Sequence, residues 1–170
     1  MKYFLMKEDE KCLYVPKVYN RYEAITERKI SIENFDSIKD KNILKIKSEE
    51  NTIFTGVITD PFLMMHESVF RVVKRYDSNV AAKKFVFLDY DWNHSQLYFM
   101  PKLSYIDCLC REKCIFINER SSKYKHIVLD ASKVPSKSIF WIFDNKGYVP
   151  VVNLDLAESI LRKEVRGIEL

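Results

Sequence analysis

Apolar and polar positions change period several times along the chain, and each change marks an element. Residues 3–6 and 13–15 are short apolar runs on either side of Lys7-Glu8-Asp9-Glu10-Lys11. Two β-compatible runs around a charged loop predict a hairpin. Residues 17–34 are polar and carry no clear period. Residues 35–38 have the spacing of a helical turn, and residues 43–47 alternate as a half-buried strand does. Residues 51–59 are β-rich, with Gly56 expected at a bulge or bend, and Asp60-Pro61 punctuates the chain.

The period then becomes helical. Val69, Val72, Val73 and Tyr76 share one face, which predicts a helix over Glu67–Tyr76. Glu67 stands in its first turn and Lys74 and Arg75 in its last, the order the helix dipole favours. His66 precedes it where an N-cap belongs. Residues 84–89 and 96–100 read as strands around the polar turn Tyr90-Asp91-Trp92-Asn93-His94-Ser95, which carries an exposed-looking indole, and Pro101 ends the second strand. Strands are also expected at 105–109 and 114–117, then a charged loop at 118–125 and a short apolar run at 126–129.

The last stretch is the clearest folding unit. Residues 138–143 and 148–152 flank Asp144-Asn145-Lys146-Gly147, a hairpin signal in which Gly147 would supply a positive φ. Asn153 suits the N-cap of a following helix, Gly167 its C′ position, and Ala157, Ile160, Leu161 and Val165 its buried face. Residues 38–46 echo residues 134–142, each leading through a lysine into an apolar strand and later a helix, which leaves open a strand–strand–helix pseudo-repeat. The expected fold class is α+β: antiparallel β-sheets packed with two or three short helices. Residues 1–170 form a single domain in this reading, with an N-terminal lobe over 1–60 as the alternative division.

Composition adds limits. Only 3 glycines and 5 prolines occur in 170 residues, which argues against long linkers and leaves no glycine-rich phosphate loop. Basic and acidic residues number 28 and 24, a net charge of +4, and the short basic pairs are interspersed with carboxylates or apolar residues. That pattern reads as a solvated surface, and nucleic acid is not the expected partner. No apolar run approaches a membrane span, and the apolar core of the N-terminus is too short for a secretory signal, so a cytoplasmic location is expected.

The densest chemical cluster is Cys108-Leu109-Cys110-Arg111-Glu112-Lys113-Cys114, with Cys12 distant. Zinc would need a fourth donor and a different spacing, and alternation along a strand would make Cys108 and Cys110 small buried residues. A nucleophilic cysteine would need a paired base, His94 or His126 for instance, but no nucleophile motif accompanies it. Asp89-Tyr90-Asp91 could chelate a hard cation but reads more simply as a solvated turn. Glu158, Arg162 and Arg166 are spaced for an intrahelical ion pair. No catalytic residue, cofactor or metal ligand is expected from these patterns.

Three stretches carry a resemblance: residues 61–76, opening Pro-Phe-Leu-Met-Met-His-Glu-Ser-Val; residues 96–109, with Leu-Tyr-Phe-Met-Pro-Lys-Leu-Ser-Tyr-Ile-Asp107-Cys108-Leu109; and residues 139–170, where a helix runs into Arg166-Gly167-Ile168. Together they resemble immunity-protein family eleven of bacterial polymorphic toxin systems and its uncharacterised relatives, over about two-thirds of the chain. His66 and Cys110 depart from that pattern. The resemblance implies a non-enzymatic protein that protects its producer by binding a cognate protein toxin domain, and it supplies no catalytic residues. Within that expectation the contact region is the turn carrying Asp91, Trp92 and His94, because Trp, Tyr and Arg dominate such interfaces, with packing of the indole against the fold as the other reading. The alternatives are a small thiol-dependent enzyme using a Cys–His pair, and a nucleic-acid-binding module.

Overall fold

The computed structural model describes residues 2–18, 32–59, 62–116, 124–144 and 147–170, with backbone alone for 32–34, and has an α+β fold. In chain order the strands are β1 (Tyr3–Leu5), β2 (Lys7–Glu8), β3 (Lys17–Val18), β4 (Lys41–Lys47), β5 (Val57–Ile58) and β6 (Met64–His66), with a 3₁₀ segment at Ile32–Ser37 before β4. Helix α1 (Glu67–Tyr76) follows, then β7 (Ala82–Asp89), β8 (His94–Pro101), a 3₁₀ turn at Arg111–Lys113, β9 (Ile115–Phe116) and β10 (Tyr124–His126). The chain closes with β11 (Ile139–Phe143), β12 (Tyr148–Asn153), α2 (Leu154–Leu161) and β13 (Ile168–Glu169). The charged loop expected at 118–125 lies largely outside the described residues.

Six strands form the main sheet in the order β3-β4-β7-β8-β6-β5. Its centre is the β7–β8 hairpin, in register from Ala82↔Pro101 to Asp89↔His94, so the two predicted strands are present and the second runs through Pro101. Alternation gives the sheet two faces. Leu44, Ile46, Phe85, Phe87, Tyr98 and Met100 point to one side and close over Phe35 of the first 3₁₀ segment. The ammonium groups of Lys83 and Lys102 lie 5.2 and 5.4 Å from the Phe35 ring centroid. On the other side α1 covers the β6–β8 part of the sheet, with Phe70 stacked on Phe99 at 4.6 Å. Helix α1 has the predicted bounds, and His66 caps it by accepting from the Ser68 backbone N–H. Pairing is antiparallel except that β4 runs parallel to β7.

The second sheet, β1-β12-β11, is apolar on both faces because both are covered. Ile139, Trp141 and Val152 join Val69, Val73, Leu156 and Ile160 in a core between the sheet and the helices. Phe140, Ile142 and Val151 face Cys108, Leu109 and Cys114 on the opposite side. Both helices start directly from a strand, β6 into α1 and β12 into α2, each capped by the strand's last side chain. Tyr76 Oη ties the two helices together through the Asp155 carbonyl and Ser159 Oγ.

Several expectations are corrected. Residues 3–6 do not pair with 13–15. Instead β1 pairs with β12 and β2 with β13, because Phe4 and Leu5 find apolar partners there, while Leu13 stays 79% exposed. Residues 105–109 form isolated bridges, Tyr105 to Trp141 and Leu109 to Leu129, rather than a strand. Of the β-rich stretch 51–59, only Val57–Ile58 is strand. Gly147 takes no positive φ, since the Asp144 carboxylate and backbone close that turn. Helix α2 stops at Leu161, which is exposed, so Gly167 is not its C′ residue; Leu156, Ala157 and Ile160 form the buried face. The echo between 38–46 and 134–142 does not extend to pairing, for β4 bonds to β3 and β7 whereas β11 pairs with the next strand, β12. Strands from residues 1–60 are spread over three sheets and pair with partners as far along as Glu169.

Candidate functional site

At the turn end of the β7–β8 hairpin, one carboxylate organises the surface. Asp89 is the last residue of β7 and points to the inner face, where it is 3% exposed. Its Oδ1 accepts from the backbone N–H groups of Asp91 (2.9 Å) and Trp92 (3.3 Å). Its Oδ2 accepts from the Ser48 N–H and the Ser48 hydroxyl, both at 2.6 Å. Two turns are therefore tied to one side chain: the β7–β8 turn, and the 48–52 turn that follows β4, itself closed by Glu49 N–H to Thr52 Oγ1 at 2.6 Å. Parallel pairing of β4 with β7 is what brings the ends of these strands together. Asn93 completes the tight turn at φ 52°, a conformation asparagine tolerates.

Hydrogen bonding to the ionised form lowers the Asp89 pKa to about 2, with the Ser48 hydroxyl the largest contributor. The folded value lies below the ordinary 3.8, so the carboxylate contributes stability that is present above about pH 4 and lost as pH falls through about 2. Asp89→Asn should lower the melting temperature, by an amount that is largest above pH 4 and shrinks towards pH 2. A gap that does not change across that interval in thermal melts would refute the assignment.

The predicted contact residues are brought together here. Trp92 is 49% exposed and Tyr90, on the same turn, 69% exposed. His94 is half-buried, its ring 6.4 Å from the Trp92 ring at 25° on one side and edge-on to Phe54 on the other. His94 Nδ1 lies 3.0 Å from Ser48 Oγ. With the hydroxyl proton committed to Asp89, Nδ1 is left as the donor, which fixes the ring orientation. Asp91 contributes its backbone N–H to the latch and presents its side chain to solvent. Ser48 and the latching role of Asp89 were missed from sequence. The solvated-turn reading of Asp89-Tyr90-Asp91 fits exposed Asp91 but is corrected at Asp89, which is buried with its oxygens saturated by four donors.

Other candidate chemistry is placed as follows. Cys108 is fully buried and burial pushes its thiol pKa up, the opposite of an activated thiolate. Cys114 is buried with its sulfur at the Val128 backbone, and Cys110 is half-buried; all four cysteines are free. Ser48, Asp89 and His94 form a chain, but the serine is buried in the middle and gives its proton to the carboxylate, so it is not arranged as a nucleophile with a base. Arg162 pairs with Glu158 at 3.3 Å as spaced. Among the described residues no group of three or more His, Cys, Asp or Glu is placed to hold a metal ion, and no helix is long and apolar enough to cross a membrane. Neither a scan against protein-family models nor a search of curated proteins finds a match to this chain.

Proposed function

We propose that this chain is an immunity protein, acting in the cytoplasm of a bacterial producer, which binds a cognate toxin domain and occludes it without catalysis. The observation that supports this reading best is the latched turn. An indole and a phenol stand exposed on a loop whose backbone is held by a buried carboxylate, so little conformational freedom remains to be lost on binding. Rigid, partly exposed aromatics of this kind supply most of the energy in protein interfaces. The sequence resemblance supplies the class of partner, and the turn supplies the contact.

The test pairs this protein with a C-terminal toxin-like domain sought in the neighbouring open reading frame. Trp92→Ala should weaken the complex by about 30-fold or more, the loss typical of a central aromatic anchor. Its melting temperature should stay close to that of the unaltered protein, because the indole is half in solvent. Calorimetric titration of the purified pair measures the first quantity. Unchanged affinity in a folded Trp92→Ala protein would remove the turn from the interface, and failure of the unaltered proteins to associate would remove the proposal altogether.

A further inference from the structure

On the side of the main sheet that carries α1, the part beyond the helix, over β3, β4 and β7, is built almost entirely from lysine and aliphatic side chains. Alternation along β4 sends Lys41, Ile43, Lys45 and Lys47 to that face, and all four are exposed. Register adds further lysines to the same side: Lys41 stands opposite Lys84 on β7, and Lys47 opposite Lys17 on β3. Like charges directly opposite each other destabilise a sheet. Lys17, Lys41, Lys47 and Lys84 form no ion pair among the described residues. Asp40, just before β4, is engaged with Lys83 at 2.8 Å, and Asp89, at the end of β7, in the latch on the opposite face.

Between the two lysine pairs runs an apolar row across three strands, Ile43 on β4, Val86 on β7 and Leu97 on β8, aligned by register. Ile43 is 56% exposed, and Val86 and Leu97 are half-buried. An apolar centre inside a charged rim is the anatomy of a protein contact. A sheet that binds single-stranded nucleic acid instead presents stacking aromatics on its face, and this row is aliphatic.

We propose that this face is a docking surface for an acidic protein surface with an apolar centre. Charge complementarity identifies the partner's chemistry: two like-charge lysine pairs, without an ion-pair partner among the described residues, gain opposite charges when a partner's carboxylates approach them. The inference does not depend on the partner being a toxin, and the face is separate from the Trp92 side chain.

The experiment follows backbone amide shifts of the labelled protein during titration with a synthetic peptide of alternating Leu and Glu. Controls are the same peptide with Ala for Leu, and oligothymidylate. Saturable shifts centred on Ile43, Val86 and Leu97 are expected, weaker with the Ala peptide. Lys41→Glu with Lys84→Glu should slow association at low salt by about tenfold or more, and Ile43→Ser should weaken binding while both proteins retain the native amide spectrum. Trp92→Ala should leave this binding intact even if it abolishes toxin binding, which separates the two proposals. Absence of saturable shifts on this face overturns the proposal. Oligothymidylate binding more tightly than the Leu–Glu peptide also overturns it, in favour of nucleic acid.

Discussion

Gly167→Ala should destabilise the protein by about 2–4 kcal/mol, from left-handed backbone strain and overpacking together. Gly167 has φ +72°, a conformation that side chains rarely adopt. A Cβ there would also meet Thr55 Cγ2 at 2.3 Å and the Thr55 Cα at 3.3 Å, so the obstruction includes backbone. Neither side can move freely. Gly167 O accepts from Asp9 N at 3.3 Å, and the neighbouring Arg166 O accepts from Gly56 N at 2.8 Å, so three distant segments meet at this point. Gly56 serves the same junction from the other side: its added Cβ would lie 2.4 Å from Ile168 Cδ1. Gly147 is the control, with nothing within 4 Å of a Cβ and no positive φ. Denaturant melts of Gly167→Ala and Gly147→Ala should therefore differ clearly. A Gly167→Ala protein within 1 kcal/mol of the unaltered one would mean that the junction gives way at little cost.

That junction shows which parts of the fold were legible in sequence. Helix α1 was readable because its signals are local: a capping side chain at 66, an apolar face at 69, 72 and 73, and charges ordered along the dipole. The β7–β8 pair was readable for the same reason, since strands and turn lie within twenty residues. The partners of β1 and β2 were not, because they sit near the other end of the chain and no local rule prefers them to residues 13–15. Gly167 illustrates the limit well. Its special backbone was anticipated, but the reason assigned, a helix C-cap, was local, whereas the actual cause is contact with Thr55.

The candidate site divides along the same line. Trp92 and His94 stood out as residue types on a polar turn. Asp89 could be seen as a carboxylate but not as a latch, since its partner Ser48 is 41 positions away and is delivered by the parallel pairing of β4 with β7. The lysines of β4 could be counted, yet their concentration on one face depends on register with Lys17 and Lys84. Interspersed carboxylates in the sequence suggested an evenly mixed surface. Folding separates them, sending Asp89 inward and Asp40 to Lys83.

Tyr98 should prove the most consequential side chain of the inner face. It is fully buried on β8, on the same side as His94 and Gln96, with Phe87 4.6 Å away and the His66 ring edge-on at 5.7 Å. Its hydroxyl donates to the Thr55 carbonyl at 2.7 Å, tying the centre of the sheet to the segment that meets Gly167. Tyr98→Ala should cost about 3–5 kcal/mol, as emptying a large aromatic site does. Tyr98→Phe keeps the ring and strands the carbonyl, for a loss of about 1–3 kcal/mol. Burial raises the Tyr98 pKa well above the ordinary 10, the Thr55 side chain opposing it only in part. The stabilisation from keeping this phenol neutral is complete below the unfolded value near 10 and is lost as pH climbs through the raised folded value. In an alkaline titration followed by phenolate absorbance, Tyr98 should ionise in the last phase, well above pH 10. Tyr98→Phe should remove that last phase and make stability fall less steeply above pH 10. A last phase that persists in Tyr98→Phe would place the retarded phenol elsewhere in the chain.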